Sequence, residues 1–205
     1  MEIKLSNLEM LLSMLIIKIK LQGITKVALK DDFYWNMDCE EKFNLKNKKL
    51  DFTIGSLVDD LQSIAQVLFK RCIPTLLDFD RLANLLVYLG DTLSKKKIKL
   101  SGELDDIEIE LSDLELLLNA LILKAKDYGI TEVILEEDCY WNITHSDKIA
   151  ITDEGPPLIN IGSLVEDLQN INLVLSNKQE LSFADFDRLA NLLVYVGYAL
   201  IKTSF

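Results

Sequence analysis

The chain is poor in the residues that carry metal, redox and nucleophilic chemistry. Its 205 residues include one histidine and three cysteines, Cys39, Cys72 and Cys139. The cysteines form no Cys-x-x-Cys pair, which argues against a zinc knuckle or a dithiol redox centre. An odd number of scattered thiols fits a reducing compartment. His145 is the single base open to a Ser-His-Asp or Cys-His-Asn arrangement. No P-loop, Gly-x-Gly-x-x-Gly or His-Glu-x-x-His occurs. The sequence therefore predicts no catalytic residue, no metal and no cofactor, and the expectation is a protein that is not an enzyme.

Basic charge is also scarce. Lys and Arg number 22 against 33 Asp and Glu, a formal net charge of -11. Nucleic-acid phosphate requires a basic face, so that partner is excluded, whereas a basic protein has the matching sign. Long apolar runs are missing too. Leu11 to Ile17 follows Glu9 without a basic segment before it, and it is far shorter than the ~20 residues a membrane span needs. A cytoplasmic protein without membrane contact is expected. Enough remains to fold, because 49% of the residues are hydrophobic and 27% charged, a balance that supports a packed core.

What the chain does contain is a repetition. The run Asp78-Phe79-Asp80-Arg81-Leu82-Ala83-Asn84-Leu85-Leu86-Val87-Tyr88 returns unchanged at Asp185 to Tyr195. Glu2–Cys39 matches Glu108–His145 at 21 of 38 positions, and Ile54–Leu93 matches Ile161–Leu200 at 24 of 40. Matches of this length mark two copies of one domain. Residues 1–98 and 107–205 are the expected repeats, and 99–106 the linker.

Each copy reads β-α-β-β-loop-β-α-α, an α+β domain with a small antiparallel sheet against about three helices. The two are expected in a pseudo-two-fold arrangement. Ser6/Glu9, Ser56/Asp59 and Thr75/Asp78, with Ser112/Glu115, Ser163/Glu166 and Ser182/Asp185, have capping-box spacing at helix starts. Gly23 and Gly129 read as C-caps. Thr25–Lys30 and Phe33–Met37 read as a hairpin turning at Asp31-Asp32. In the first helix Leu8, Leu11, Leu12, Leu15, Ile16 and Ile19 form one apolar stripe and Met10, Met14, Ile17 and Leu21 a second. The pattern predicts burial on both sides.

One polar signature occurs twice, Asp32-x-Tyr34-Trp35-Asn36 and Asp138-x-Tyr140-Trp141-Asn142. Tyr and Trp join large contact area to a polar tip, so Tyr34, Trp35, Tyr140 and Trp141 are candidate binding residues. The competing reading is a turn aspartate with core aromatics. Asp80, Arg81 and Asn84 share a helix, and Arg81 is expected to pair with an acid such as Asp32 or Asp60.

The copies differ most in charge. Residues 1–100 sum to +3 and residues 101–205 to -14. Lys4, Lys26 and Lys30 become Glu110, Glu132 and Glu136, at outward positions of the expected strands. Three readings are open: these faces pair with each other after fusion of an ancestral homodimer; Glu110, Glu132 and Glu136 meet a basic partner; or the differences are neutral drift on solvated faces.

Each copy resembles a group of small bacterial proteins that carry Asp-Tyr-Tyr-Trp followed by Gly-x-Leu-x-Asp-Asp at a helix start. The matching residues are Asp32-Phe33-Tyr34-Trp35 with Gly55 to Asp60, and Asp138-Cys139-Tyr140-Trp141 with Gly162 to Asp167. Phe33 and Cys139 depart from the first tyrosine. The resemblance implies a bacterial α+β domain and no activity. The reading that follows is a protein-interaction module, of the kind an acidic immunity or inhibitor protein uses against a basic toxin. The alternatives are a small-ligand binder or enzyme using the repeated motif, and a structural or oligomeric subunit.

Overall fold

The computed structural model describes residues 1–46, 50–95, 107–143, 145–149, 151 and 156–203. The expected linker at 99–106 lies outside the described residues. The fold is mixed α+β, built from helices and small two-stranded antiparallel sheets.

The first half runs β1 (Glu2–Lys4), α1 (Leu5–Lys20), β2 (Lys26–Ala28), β3 (Phe33–Met37), α2 (Cys39–Phe43), β4 (Phe52–Ser56), α3 (Leu57–Leu68) and α4 (Leu77–Ser94). The second runs β5 (Glu108–Glu110), α5 (Leu111–Asp127), β6 (Glu132–Ile134), β7 (Cys139–Ile143), α6 (His145–Ile149), β8 (Ile159–Ser163), α7 (Leu164–Leu175) and α8 (Ala184–Thr203).

Strand pairing departs from the hairpin reading. β2 does not pair with β3. It lies antiparallel to β5, and β1 lies antiparallel to β6, so both of these ladders join the two halves. β3 pairs with β4 and β7 with β8, each within its own half. Ile3, Val27, Ile109 and Val133 are the buried residues of the shared strands. Their neighbours on the outer face lie across the ladders from one another, Lys4 opposite Glu132 and Lys26 opposite the half-buried Glu110.

α4 and α8 form the centre and run antiparallel. Gly90 near the end of α4 sits against Phe186 at the start of α8, where an added Cβ would lie 3.1 Å from the Phe186 Cβ. Gly197 makes the reciprocal approach, 3.2 Å from the Phe79 Cβ. Glycine at these two points lets the backbones close in. Around this pair a single core takes in Leu8, Leu12 and Leu86 from one half and Leu114, Leu118 and Leu193 from the other. Two equivalent ties reinforce it, Lys18 Nζ donating to the Leu181 carbonyl and Lys124 Nζ to the Pro74 carbonyl.

Local signals fix several boundaries. The Ser56 and Ser163 hydroxyls accept from the N–H groups of Asp59 and Glu166, each at 3.1 Å, as caps of α3 and α7. Gly23 and Gly129 take φ values of +82° and +77° after α1 and α5, which favours glycine. Ser6 and Ser112 do not cap. β1 and β5 run directly into α1 and α5, with Lys4 and Glu110 at the cap positions. The second apolar stripe of α1 is not buried within the chain, since Met10, Ile17 and Leu21 are exposed and Met14 is half-buried.

Candidate functional site

The repeated motif starts with a cap. The Asp32 Oδ1 accepts from the Ser56 hydroxyl and the Val58 N–H, both at 2.8 Å, and so holds the start of α3. Asp138 does the same for α7 through Ser163 at 2.6 Å and Val165 at 2.9 Å. These aspartates are occupied by the fold.

The tyrosines point inward. Tyr34 is buried, its ring lying over Gly55, and its hydroxyl donates to Asp60 Oδ2 at 3.0 Å while accepting from Asn84 Nδ2 at 2.7 Å. Tyr140 lies over Gly162 and repeats both bonds with Asp167 (2.8 Å) and Asn191 (2.7 Å). Burial pushes Asp60 and Asp167 up to about 6 against the hydrogen bonds that favour their ionised forms. It also raises both tyrosines, with the adjacent carboxylate adding to the effect. Arg81 pairs with Asp78 at 2.7 Å and lies 3.9 Å from Asp60, as expected for a structural role, and Arg188 pairs with Asp185 at 2.6 Å.

Two lysines cross from one half to the other. Lys148 from α6 donates to Asn84 Oδ1 at 2.7 Å, over the Tyr34 ring, and Lys42 from α2 donates to Asn191 Oδ1 at 3.0 Å, over the Tyr140 ring. Burial lowers both, Lys42 to about 8, with the neighbouring Lys148 adding to the effect on it. Burial raises Asp80 beside them. Between the halves these groups leave a polar cleft of about 40 Å³, lined by Trp35, Trp141, Lys42, Lys148, Asp80 and Asp187. That volume holds a few water-sized groups. Trp141 Nε1 is buried and has no hydrogen-bond partner among the described residues.

The structure thus gathers Tyr34, Trp35, Tyr140 and Trp141 around one cluster, with the tyrosines buried and the tryptophans half-buried. It separates them from the acidic candidates. Glu110 is bonded to Lys26 at 2.7 Å. Glu132 and Glu136 are exposed along a groove between β6 and the end of α8, with Tyr195, Tyr198 and Lys202 on its other side. Phe43 of α2 reaches across the halves to stack on Tyr198 at 5.0 Å.

Lys42, Lys148 and Tyr198 escaped the sequence reading. For Lys42 a signal existed. Asp38 followed by Glu40 and Glu41 is a helix-start pattern, and Asp38 caps α2 through the Glu40 N–H at 2.8 Å. Among the described residues no group of three His, Cys, Asp or Glu is placed to hold a metal ion, and no helix is long and apolar enough to cross a membrane. No protein-family model matches the chain, and neither does any curated protein or solved structure.

Proposed function

We propose that the protein is a non-enzymatic interaction module of the bacterial cytoplasm, an internal pseudo-dimer that receives a basic protein partner on its second half. An immunity- or inhibitor-type role, covering the basic surface of a toxin, fits that chemistry. The supporting observation is how the reversed charges divide. Glu110 is bonded to Lys26 and Glu132 lies opposite Lys4, whereas Glu136 is exposed beside an apolar groove with no ion partner among the described residues. Asp32 and Asp138 of the repeated motif are consumed by caps, and Tyr34 and Tyr140 by buried hydrogen bonds, which turns attention to the outer surface for recognition of a partner. Three free thiols agree with the compartment.

The test is affinity capture from lysate of the source organism, using the wild type and a Glu132→Lys/Glu136→Lys variant as baits with elution by a salt gradient. A basic protein retained by the first bait only, and released by moderate salt, supports the reading. Equal capture by both baits counts against it.

A second reading, a small polar ligand held in the central cleft, draws on the Trp141 Nε1 donor, which has no acceptor among the described residues. It requires a ligand-dependent rise in melting temperature that disappears in Trp141→Ala.

A further inference from the structure

The groove between β6 and the last turns of α8 has a volume of about 310 Å³, with Val133, Tyr195, Ala199 and Leu200 among its lining and Ile134 exposed beside them. Ten residues line it, and each has a counterpart in the first half. Five counterparts are identical. The other five are Lys26/Glu132, Ala28/Ile134, Lys30/Glu136, Asp91/Tyr198 and Thr92/Ala199. Every one of these changes makes the second-half groove more apolar or replaces a basic group with an acidic one. The ionisable groups go from net +2 in the first half (Lys26, Lys30 and Lys95 against Asp91) to net -1 in the second (Glu132 and Glu136 against Lys202). Neutral drift on a solvated face has no reason to add apolar area and reverse charge at one place.

At the first-half counterpart two of the lysines are held in ion pairs. Lys26 reaches Glu108 at 3.2 Å and Glu110 at 2.7 Å, and Lys95 reaches Asp91 at 2.7 Å. In the second half Ile134 is 62% exposed instead. The backbone edge of β6 is shut beside it. The Tyr195 hydroxyl donates to the Ile134 carbonyl at 3.2 Å and accepts from the Glu136 N–H at 2.9 Å. An added strand would have to displace that hydroxyl, so recognition falls to side chains. The chain supplies its own example of the chemistry. Lys202 Nζ sits 4.2 Å from the centre of the Tyr198 ring and 3.1 Å from Glu137 Oε1, a cation held by an aromatic face and a carboxylate.

We infer that this groove docks a basic amphipathic segment of a partner protein, its apolar anchor seated against Val133, Tyr195, Ala199 and Leu200 and its Lys or Arg side chains meeting Glu132 and Glu136. The inference rests on the interaction reading above and gives it a place and a partner chemistry. A groove of this size, at the small end of ligand sites, suits one anchor side chain and its neighbours.

The experiment is fluorescence anisotropy with the full chain, a labelled Leu/Lys amphipathic peptide and its Leu/Glu counterpart. Saturable binding of the Leu/Lys peptide alone is expected, weakening as salt rises. Tyr198→Asp/Ala199→Thr, which installs the first-half residues, and Glu136→Lys on the exposed rim should each weaken it about tenfold or more. Asp91→Asn in the first half should leave it unchanged. Glu136 is exposed, so its variant keeps the test valid if the helix variant fails to fold. Saturable binding that neither variant alters overturns the groove and leaves the interaction reading to another acidic surface. Absence of saturable binding overturns the groove too, and the affinity capture then decides the interaction reading separately. A free protein that sediments as a dimer, dissociated by Glu136→Lys, would give the groove to a second copy and also overturn the inference.

Discussion

Lys26 Nζ lies 2.7 Å from Glu110 Oε1 across the β2–β5 ladder, and Lys4 faces Glu132 across β1–β6. The sequence counterpart of Glu110 is Lys4, and that of Glu132 is Lys26. Two first halves paired in this way would set lysine against lysine, and two second halves glutamate against glutamate. The charge reversal therefore favours unlike halves and disfavours like ones, which is specificity by attraction and repulsion together.

Reversing one side of a ladder should destabilise the chain, and reversing both should restore part of the loss. Glu110→Lys is expected to lower the urea midpoint, and Glu110→Lys with Lys26→Glu to recover it in part, since Lys26 also pairs with Glu108. The difference should shrink in high salt, because both side chains are partly exposed. Equal loss in the single and double variants would show that the pair does not couple.

Gly55→Ala and Gly162→Ala should be among the most damaging small substitutions. A Cβ at these positions would come within 2.2 Å of the Tyr34 Cζ and 2.3 Å of the Tyr140 Cζ. Each ring would have to leave its place and its bonds to Asp60 and Asn84, or Asp167 and Asn191. Losses of about 2–4 kcal/mol are expected, combining overpacking with buried groups left unpaired. Equilibrium urea unfolding of each variant checks this.

The desolvated carboxyls and lysines predict a distinctive dependence of stability on pH. Asp60 and Asp167 rise from an ordinary 3.8 to about 6 on folding. The unfolded chain ionises first as pH increases, so their contribution falls between about pH 4 and 6, by on the order of 2 kcal/mol per carboxyl. Lys42 falls from 10.5 to about 8, so the folded state sheds its proton first and stability recovers as pH rises from about 8 to 10.5. These groups predict a urea midpoint higher near pH 5 than near pH 7. Asp60→Asn/Asp167→Asn should flatten that limb, and a midpoint that climbs from pH 5 to 7 in the wild type would contradict the assignment.

Lys42→Met and Lys148→Met test the cross-half contacts. Each removes a bond to an asparagine that also holds a buried tyrosine. It also removes an ammonium whose burial is costly. The two effects oppose, so a change within about 1 kcal/mol is expected for either variant. The high-pH recovery described above should weaken in Lys42→Met.

Helix starts governed by neighbouring residues were legible in the sequence. Ser56 and Ser163 cap as their spacing predicts, and the α+β class follows from the order of elements. Pairing between distant segments was not. β2 finds its partner in β5, about eighty residues on, and no local pattern distinguishes that from a hairpin with β3. The same limit applied to the site. Asp32 and Tyr34 were visible as a motif, but their roles as cap and buried donor depend on Ser56, Asp60 and Asn84 arriving from elsewhere. The groove left a trace only in the differences between the halves, at Asp91/Tyr198 and Thr92/Ala199.

If the two halves complete one another, they should do so as separate chains. Residues 1–98 and 107–205, produced apart, each lack the partners of two strands and one side of the α4–α8 contact. Mixed at low salt, they should form a 1:1 complex by sedimentation with a single cooperative unfolding transition. Each half alone should lack that transition. Halves that fold cooperatively by themselves and do not associate would contradict the account.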